Sequence, residues 1–455
     1  MLRDIRGDVY IATVATKQLE RIAPAPHSPT AELARPAWSP DGRTLAWTIE
    51  PQSDSTPEGI AQAVLGNGRL VLYDVATKRL REVRDPKLDV ELGAPQWTPD
   101  GRRLLFVTGE RAYQSVYQYD VAAGTFARLA SGLLLRGLSL ARDGRTVAYA
   151  LETPSAPADL HVGDLTFKSP RRLTTLNPQV ATFALGETEV VTWKSPDGTP
   201  VEGVLLKPVG YAPGTRYPLL VEAHGGPTSA TSAGFKASSS SPGQVWAGRG
   251  WAVLYPNPRG STNYGERFMR ANIGDWGGGD FQDIMAGVDE LIRRGVADSS
   301  RMAFEGWSYG GYMTAWTVTQ TSRFRAARMG AGISDLGSMY GTTDIPGYVR
   351  IFCPGATTRE RVDCELARSP ITHVDRVTTP LLILHGASDT RVPPGQAMQY
   401  YRALRDRGRP VELVLYPRAG HGLSEWYHQL DRMRREYDWI ARYTLGAGAK
   451  QAAAR

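Results

Sequence analysis

The chain has 455 residues, more than one compact domain usually holds, so two domains are expected. A composition of 42% hydrophobic and 22% charged residues is typical of globular proteins and argues against a disordered chain. The net charge of +7 is spread without a basic block, which disfavours nucleic-acid binding. No run of 18 apolar residues and no signal-like N-terminus occurs, so neither a membrane span nor an export signal is expected.

The first part of the chain repeats two kinds of β-hairpin. Asp-Gly turns, whose glycine accepts the positive φ of a tight turn, join apolar strands within residues 36–50, 95–110 and 138–152. A second hairpin alternates with the first, at residues 8–22, 69–83, 115–129 and 159–173. Two hairpins make a four-stranded sheet, so the repeat predicts β-propeller blades. We expect an incomplete propeller of about three to four blades over residues 1–178, with 51–68 as a polar loop; a small β-sandwich is the alternative.

From about residue 179 short apolar strands alternate with amphipathic helices. This pattern predicts a doubly wound, mostly parallel sheet of the α/β-hydrolase class over residues 179–446. The first strands have no helices between them and fit an antiparallel edge. The last helix shows one apolar face through residues 426–440, and the tail 447–455 is predicted to be disordered.

Ser308 lies in a G-x-S-x-G motif, between the strand RMAF and a helical segment. This is the setting of a nucleophile elbow, a sharp strand-to-helix turn that exposes the serine. Glycines at 306 and 310 suit that turn, because larger side chains would collide there. A purely structural turn is the alternative interpretation.

A nucleophilic serine needs a histidine base and a carboxylate that orients the base, in the chain order Ser, Asp, His. Asp389 follows the strand PLLILHG and His421 follows the strand VELVLYP, so both are expected at the carboxyl edge of the sheet. The competing residues lie in helices, precede the required position or suit structural roles: His224, His373, His385, His428, Asp280, Asp283 and Asp375. Of these, His385 is predicted to be a packed core residue, and Asp280 and Asp283 to favour the dipole of a helix start.

The oxyanion of an acyl-transfer intermediate needs two N–H donors. One is expected from the backbone of Tyr309, directly after the nucleophile, and the other from the loop HGGP at 224–227. We predict the Gly226 N–H, with Gly225 as the near alternative.

The two cysteines, Cys353 and Cys364, are either free thiols or a disulfide, and the sequence favours neither. No second Cys or His set accompanies them, so no metal site is predicted. Without an export signal the expected compartment is the cytoplasm; a disulfide combined with a truncated N-terminus would instead indicate the periplasm.

The hydrolase half resembles the prolyl oligopeptidase family, in its acylaminoacyl-peptidase-like branch. Segments similar to that family's landmarks occur in its order: WKSPDGTPVEGVLLKP, YPLLVEAHGGP, YPNPRGSTNYG, GWSYGGYMTAW, GISDLGSMYGTTD, RSPITHV, LLILHGASDTRVP and AGHGLSE. The resemblance implies a serine peptidase acting on short peptides through Ser308, Asp389 and His421, without a cofactor. The chain departs from the family in having a propeller of about half the usual length.

Dipeptidyl peptidases of this family hold the substrate amino terminus with a glutamate pair on the propeller, and residues 1–175 contain no Glu-Glu pair. We therefore expect acylaminoacyl-peptidase or oligopeptidase activity, with a dipeptidyl aminopeptidase or an esterase as alternatives. An inactive interaction protein is the rival from another class. Arg259, Tyr340 and Arg368 are candidate substrate contacts, and peptides are the expected partners, with a homo-oligomer possible.

Overall fold

The computed structural model describes residues 9–23, 36–49, 65–355 and 357–446. The chain forms two compact units. The first comprises Met1–Thr153, Pro157–Pro178 and Thr262–Arg270, and the second comprises Pro154–Ala156, Gln179–Ser261 and Ala271–Arg455. The domain limits 1–178, 179–446 and 447–455 remain predictions. Residues 51–64 of the predicted polar loop and the whole tail lie outside the described residues.

The described strands of the first unit form one two-stranded sheet and three four-stranded sheets. In each sheet the strands lie side by side in sequence order. The strands are β1 (Val9–Thr13), β2 (Gln18–Ala23), β3 (Ala37–Trp38), β4 (Thr44–Ile49), β5 (Arg69–Asp74), β6 (Arg79–Val83), β7 (Gln96–Trp97), β8 (Arg103–Glu110), β9 (Tyr113–Asp120), β10 (Thr125–Leu133), β11 (Leu135–Leu140), β12 (Thr146–Thr153), β13 (Ala156–Asp164) and β14 (Arg171–Arg172).

The predicted Asp-Gly turns join the first two strands of each four-stranded sheet. The turn glycines, Gly42, Gly101 and Gly144, have φ near +70°. In each turn the aspartate accepts the N–H two residues further on, over 2.9–3.1 Å. The repeat in the sequence therefore corresponds to a repeated local structure.

The second unit is built on an eight-stranded sheet with the order β15-β16-β18-β17-β19-β20-β21-β22. Its strands are β15 (Thr188–Lys194), β16 (Pro200–Leu206), β17 (Tyr217–Ala223), β18 (Ala252–Asn257), β19 (Ala297–Trp307), β20 (Ala326–Gly330), β21 (Leu381–Gly386) and β22 (Val411–Tyr416). The β15-β16-β18 edge is antiparallel, and the pairs from β18-β17 to β21-β22 are parallel. The predicted mostly parallel sheet with an antiparallel edge is confirmed.

Most α-helices lie between successive strands of the second unit, and a short one, Glu266–Met269, falls in the segment assigned to the first unit. The helices are α1 (Gly243–Gly248), α2 (Glu266–Met269), α3 (Gly279–Arg293), α4 (Tyr309–Gln320), α5 (Leu336–Thr342), α6 (Pro346–Phe352), α7 (Thr358–Arg368), α8 (Gly395–Asp406) and α9 (Trp426–Leu445). Central strands such as β21 are buried along their whole length, which fits their largely apolar sequences. Within the described part of the chain, no helix is long and apolar enough to cross a membrane.

Cys353 and Cys364 form a disulfide. It joins the residue after α6 to the middle of α7, across a separation of 11 residues. This settles the alternative that the sequence left open.

Candidate active site

The end of β19, Ser308 and the start of α4 form a tight strand-to-helix turn. Ser308 has φ +62° and ψ −120°, a left-handed conformation that costs a non-glycine residue about 1–3 kcal/mol. A Cβ at Gly306 would lie 2.4 Å from Gly310, and a Cβ at Gly310 would lie 2.1 Å from the Ala223 carbonyl oxygen. Both flanking glycines are therefore required by close backbone packing.

Ser308, His421 and Asp389 form a continuous hydrogen-bonded chain. The Ser308 Oγ lies 2.9 Å from His421 Nε2, and His421 Nδ1 lies 2.8 Å from Asp389 Oδ2. Asp389 is an acceptor, so Nδ1 carries a hydrogen and Nε2 is left to accept the serine proton. The residues predicted as nucleophile, base and orienting acid lie at the carboxyl ends of β19, β22 and β21.

The Asp389 carboxylate is 3% exposed and heavily hydrogen-bonded. Its Oδ1 accepts the backbone N–H groups of Arg391 and Val392 over 2.9 and 3.0 Å. Burial raises the pKa of Asp389, but hydrogen bonds from His385 and His421 outweigh burial and hold it well below its usual range. Asp389 is therefore ionised at neutral pH.

The glycine loop after β17 passes close to the nucleophile. A Cβ on Gly225 would lie 3.5 Å from the Ser308 Cβ, and Gly226 has φ +121°. His224 lies 2.7 Å from the Gly225 carbonyl oxygen and 3.0 Å from the Ser261 hydroxyl, contacts that fix the loop. Tyr309, the other predicted donor, is the first residue of α4. Donation by Tyr309 and by Gly226 or Gly225 stays a prediction.

A buried aspartate supports Tyr309 from behind the elbow. The Tyr309 hydroxyl donates to Asp280 Oδ2 over 2.6 Å, and both residues are at most 1% exposed. Burial raises the pKa of Asp280 to about 7, although hydrogen bonds from Tyr309 and from the Phe281 N–H lower it. The helix-start position of Asp280 was predictable, but its contact 29 residues along the chain was not.

The three candidate substrate contacts are engaged in other interactions. The Arg259 guanidinium binds Asp283 and Asp197, over 2.7 and 2.9 Å. The Tyr340 hydroxyl accepts from Arg350, and Arg368 donates to Asp275 over 2.7 Å. Substrate binding by Arg259, Tyr340 and Arg368 remains a prediction, and these contacts give each a structural role.

A cluster of buried charges, missed by sequence reasoning, underlies the elbow. Arg328 on β20 lies 3.2 Å from Glu305 and 2.9 Å from Glu436, and it donates to the Gly306 carbonyl oxygen over 2.8 Å. Arg432 lies 3.1 Å from Glu436. Glu305 is fully buried, and burial raises its pKa to about 8 against the opposing effect of Arg328. A glutamate and an arginine within otherwise apolar strands are the signal that would have revealed this cluster.

Residues 237–446 match the prolyl oligopeptidase family. This part of the chain is a prolyl oligopeptidase family domain. The chain is 33% identical over 380 residues to an uncharacterized peptidase, YuxL, of Bacillus subtilis, covering 80% of this chain and 57% of the relative. It is 30% identical over 370 residues to the human acylamino-acid-releasing enzyme, covering 76% and 49%. The chain therefore spans about half the length of the curated relatives it matches.

The structure of an acylaminoacyl peptidase from Pyrococcus horikoshii matches 97% of this chain with a TM-score of 0.80 at 25% identity, and 67% of that protein is covered. The likeness extends over both units. It confirms the predicted fold class, an incomplete β-propeller followed by an α/β hydrolase.

Proposed function

We propose that the chain is a serine peptidase that hydrolyses short peptides through an acyl-enzyme on Ser308. The observation that carries the proposal is the hydrogen-bonded chain from Ser308 through His421 to the ionised, buried Asp389. We also propose residues 179–446 as the catalytic domain and residues 1–178 as the partial propeller.

In the first half-reaction the Ser308 oxygen attacks the peptide carbonyl carbon, and His421 Nε2 takes the serine proton. Asp389 stabilises the resulting imidazolium and keeps its ring oriented. The oxyanion accepts the Tyr309 N–H at the start of α4 and a second N–H from Gly226 or Gly225. His421 then returns its proton to the leaving amine, which departs and leaves Ser308 acylated.

Water hydrolyses the acyl-enzyme by the same chemistry in reverse. His421 takes a proton from water, the hydroxide attacks the ester carbon, and the proton returns to the Ser308 oxygen as the acid leaves. The described groups supply every proton transfer in this sequence.

For the finer activity we favour an acylaminoacyl peptidase or an oligopeptidase. Two observations support this choice: the similarity to an acylamino-acid-releasing enzyme and the lack of a Glu-Glu pair in residues 1–175 of the sequence. A dipeptidyl aminopeptidase and an esterase would use the same three residues and are separated from it by substrate preference.

The test compares three substrates: an acyl-amino-acid p-nitroanilide, a dipeptidyl p-nitroanilide with a free amine, and a p-nitrophenyl ester. We expect the acyl-amino-acid p-nitroanilide to be cleaved faster than the dipeptidyl p-nitroanilide. Ser308→Ala should lose about 10⁶-fold in kcat. Ser322→Ala is the matched control, because Ser322 is exposed just beyond the other end of α4. Cleavage of the ester alone would favour the esterase. No turnover by a folded sample would contradict the proposed peptidase and favour the inactive interaction protein.

A further inference from the structure

A second histidine faces the carboxylate of Asp389. His385 lies on β21 and is fully buried, four residues before Asp389. Its Nε2 lies 2.7 Å from the Val392 carbonyl oxygen and 3.4 Å from Asp389 Oδ2. The sequence predicted a packed core residue here, and burial alone fits that prediction.

The two neighbours of the nitrogen fix its hydrogen. A carbonyl oxygen and a carboxylate oxygen are both acceptors, so His385 Nε2 carries a hydrogen and directs it between them. The nitrogen on the other side of the ring, Nδ1, has no hydrogen-bond partner among the described residues. An apolar side chain would fill the same space without burying an unpaired nitrogen, so packing alone does not account for histidine at this position.

The contacts of His385 close a ring around the acid. The Val392 N–H donates to Asp389 Oδ1 over 3.0 Å, while the Val392 carbonyl oxygen accepts from His385. His385 is itself held in the sheet, paired with Leu415 of β22. The loop that carries Asp389 is therefore joined to β21 through the His385 side chain.

The hydrogen on His385 Nε2 also interacts with the negative charge of Asp389. Asp389 Oδ2 lies 2.8 Å from His421 Nδ1 and 3.4 Å from His385 Nε2. His385 and His421 both lower the pKa of this carboxylate, while the nearby Arg391 side chain pairs with Asp344 over 2.7 Å. A carboxylate oxygen shared between two donors attracts each one less strongly than an oxygen with a single donor.

We propose that His385 is a positioning residue that holds Asp389 toward His421 and moderates the charge that His421 meets. This inference rests on the proposed function and extends it to a residue outside the triad. Loss of the His385 hydrogen would leave the carboxylate charge to His421 alone. The acidic limb of a reaction that uses the Ser308–His421 pair would then move to higher pH.

The test measures the rate at which phenylmethylsulfonyl fluoride inactivates the full-length chain between pH 5 and pH 9. In this reaction the Ser308 oxygen displaces fluoride and His421 takes the proton, so the rate reports on the Ser308–His421 pair without needing a peptide substrate. We expect His385→Leu to move the acidic limb upward by about 0.5–1 pH unit. His385→Gln places an amide N–H near the former Nε2 and should restore the wild-type limb, whereas the shorter His385→Asn should not.

Ile383→Val is the matched control, because Ile383 is a fully buried neighbour on β21 whose change affects packing only. An unmoved limb in His385→Leu, or an equal limb in the Gln and Asn variants, would overturn the inference. If His385→Leu does not fold, the comparison of His385→Gln with His385→Asn still decides. Absence of Ser308-dependent inactivation in the wild type would instead contradict the proposed function, and the inference with it.

Discussion

The indole N–H of Trp307 donates a hydrogen bond to the main-chain carbonyl oxygen of His421 over 2.8 Å. Because Trp307 directly precedes Ser308, one side chain joins the turn of the nucleophile to the loop of the base. The ring is confined: a Cβ at Gly330 would lie 2.1 Å from it, and the Arg432 guanidinium lies 5.6 Å from its centroid. This contact sets the spacing between Ser308 and His421.

We expect Trp307→Phe to lower kcat/KM about tenfold, since a lost hydrogen bond of about 1–1.5 kcal/mol would loosen the His421 loop. The measurement is kcat and KM on the preferred anilide, with the loss expected in kcat. Trp316→Phe is the control, because the Trp316 indole makes a similar bond of 2.7 Å to the Gly277 carbonyl oxygen. Equal kcat in the two variants would show that the Trp307 contact does not position the base.

Asp280 predicts a specific dependence of stability on pH. Its pKa in the folded chain, about 7, lies above the ordinary 3.8, so between these values the folded chain binds the extra proton. Stability therefore falls as the pH rises from about 4 to about 7. Asp280→Asn removes this titration and keeps an acceptor for Tyr309.

Between pH 5 and pH 8, the wild type should lose about 2–3 kcal/mol more of its unfolding free energy than Asp280→Asn loses. Urea unfolding at both pH values gives this double difference. Asp289→Asn, at a largely exposed ion pair with Arg323, should behave as the wild type does. If Asp280→Asn loses as much stability as the wild type, Asp280 is ionised throughout this range.

The buried charge cluster should respond unequally to loss of an acid or of a base. With its pKa near 8, Glu305 is mostly protonated at pH 7, so Glu305→Gln should change stability by less than about 1 kcal/mol. Arg328→Met leaves the Gly306 carbonyl without this donor and leaves Glu436 with Arg432 as its remaining partner, and it should cost about 3–5 kcal/mol. Thermal unfolding of both variants at pH 7 tests the contrast, and equal losses would refute it.

The disulfide should stabilise the chain by about 3 kcal/mol, the value expected for closing a loop of 11 residues. The double variant Cys353→Ser with Cys364→Ser should melt at a lower temperature than the oxidised wild type. Dithiothreitol should lower the wild-type melting temperature toward that of the double variant and leave the variant unchanged. A wild type insensitive to the reductant, with both thiols shown to be reduced, would contradict the prediction.

The elbow, the fold class and the candidate triad could be predicted because each depends on a local pattern. G-x-S-x-G specifies the turn around Ser308, and the order of strands in a parallel sheet brings the ends of β21 and β22 next to each other. The Asp-Gly turns of the hairpins likewise depend on contacts within a few residues of the chain.

What could not be predicted depends on contacts between distant segments. The bond from Trp307 to His421 spans 114 residues, and that from Asp280 to Tyr309 spans 29. The ion pairs of Arg259 with Asp197 and Asp283 are likewise not revealed by the sequence. No hydrophobic period encodes such pairings, since they depend on which loops the finished sheet brings together.

The assignment of Thr262–Arg270 to the first unit affects how the protein can be divided. There the Arg111 N–H donates to the Asn263 carbonyl oxygen over 2.9 Å, and the Glu266 N–H donates to Asp89 over 2.8 Å. A protease cut after residue 178 would nick the chain, yet the downstream fragment would still carry part of the upstream unit. Any exchange of modules between relatives must therefore transfer residues 262–270 together with the propeller sheets, as one non-contiguous cassette.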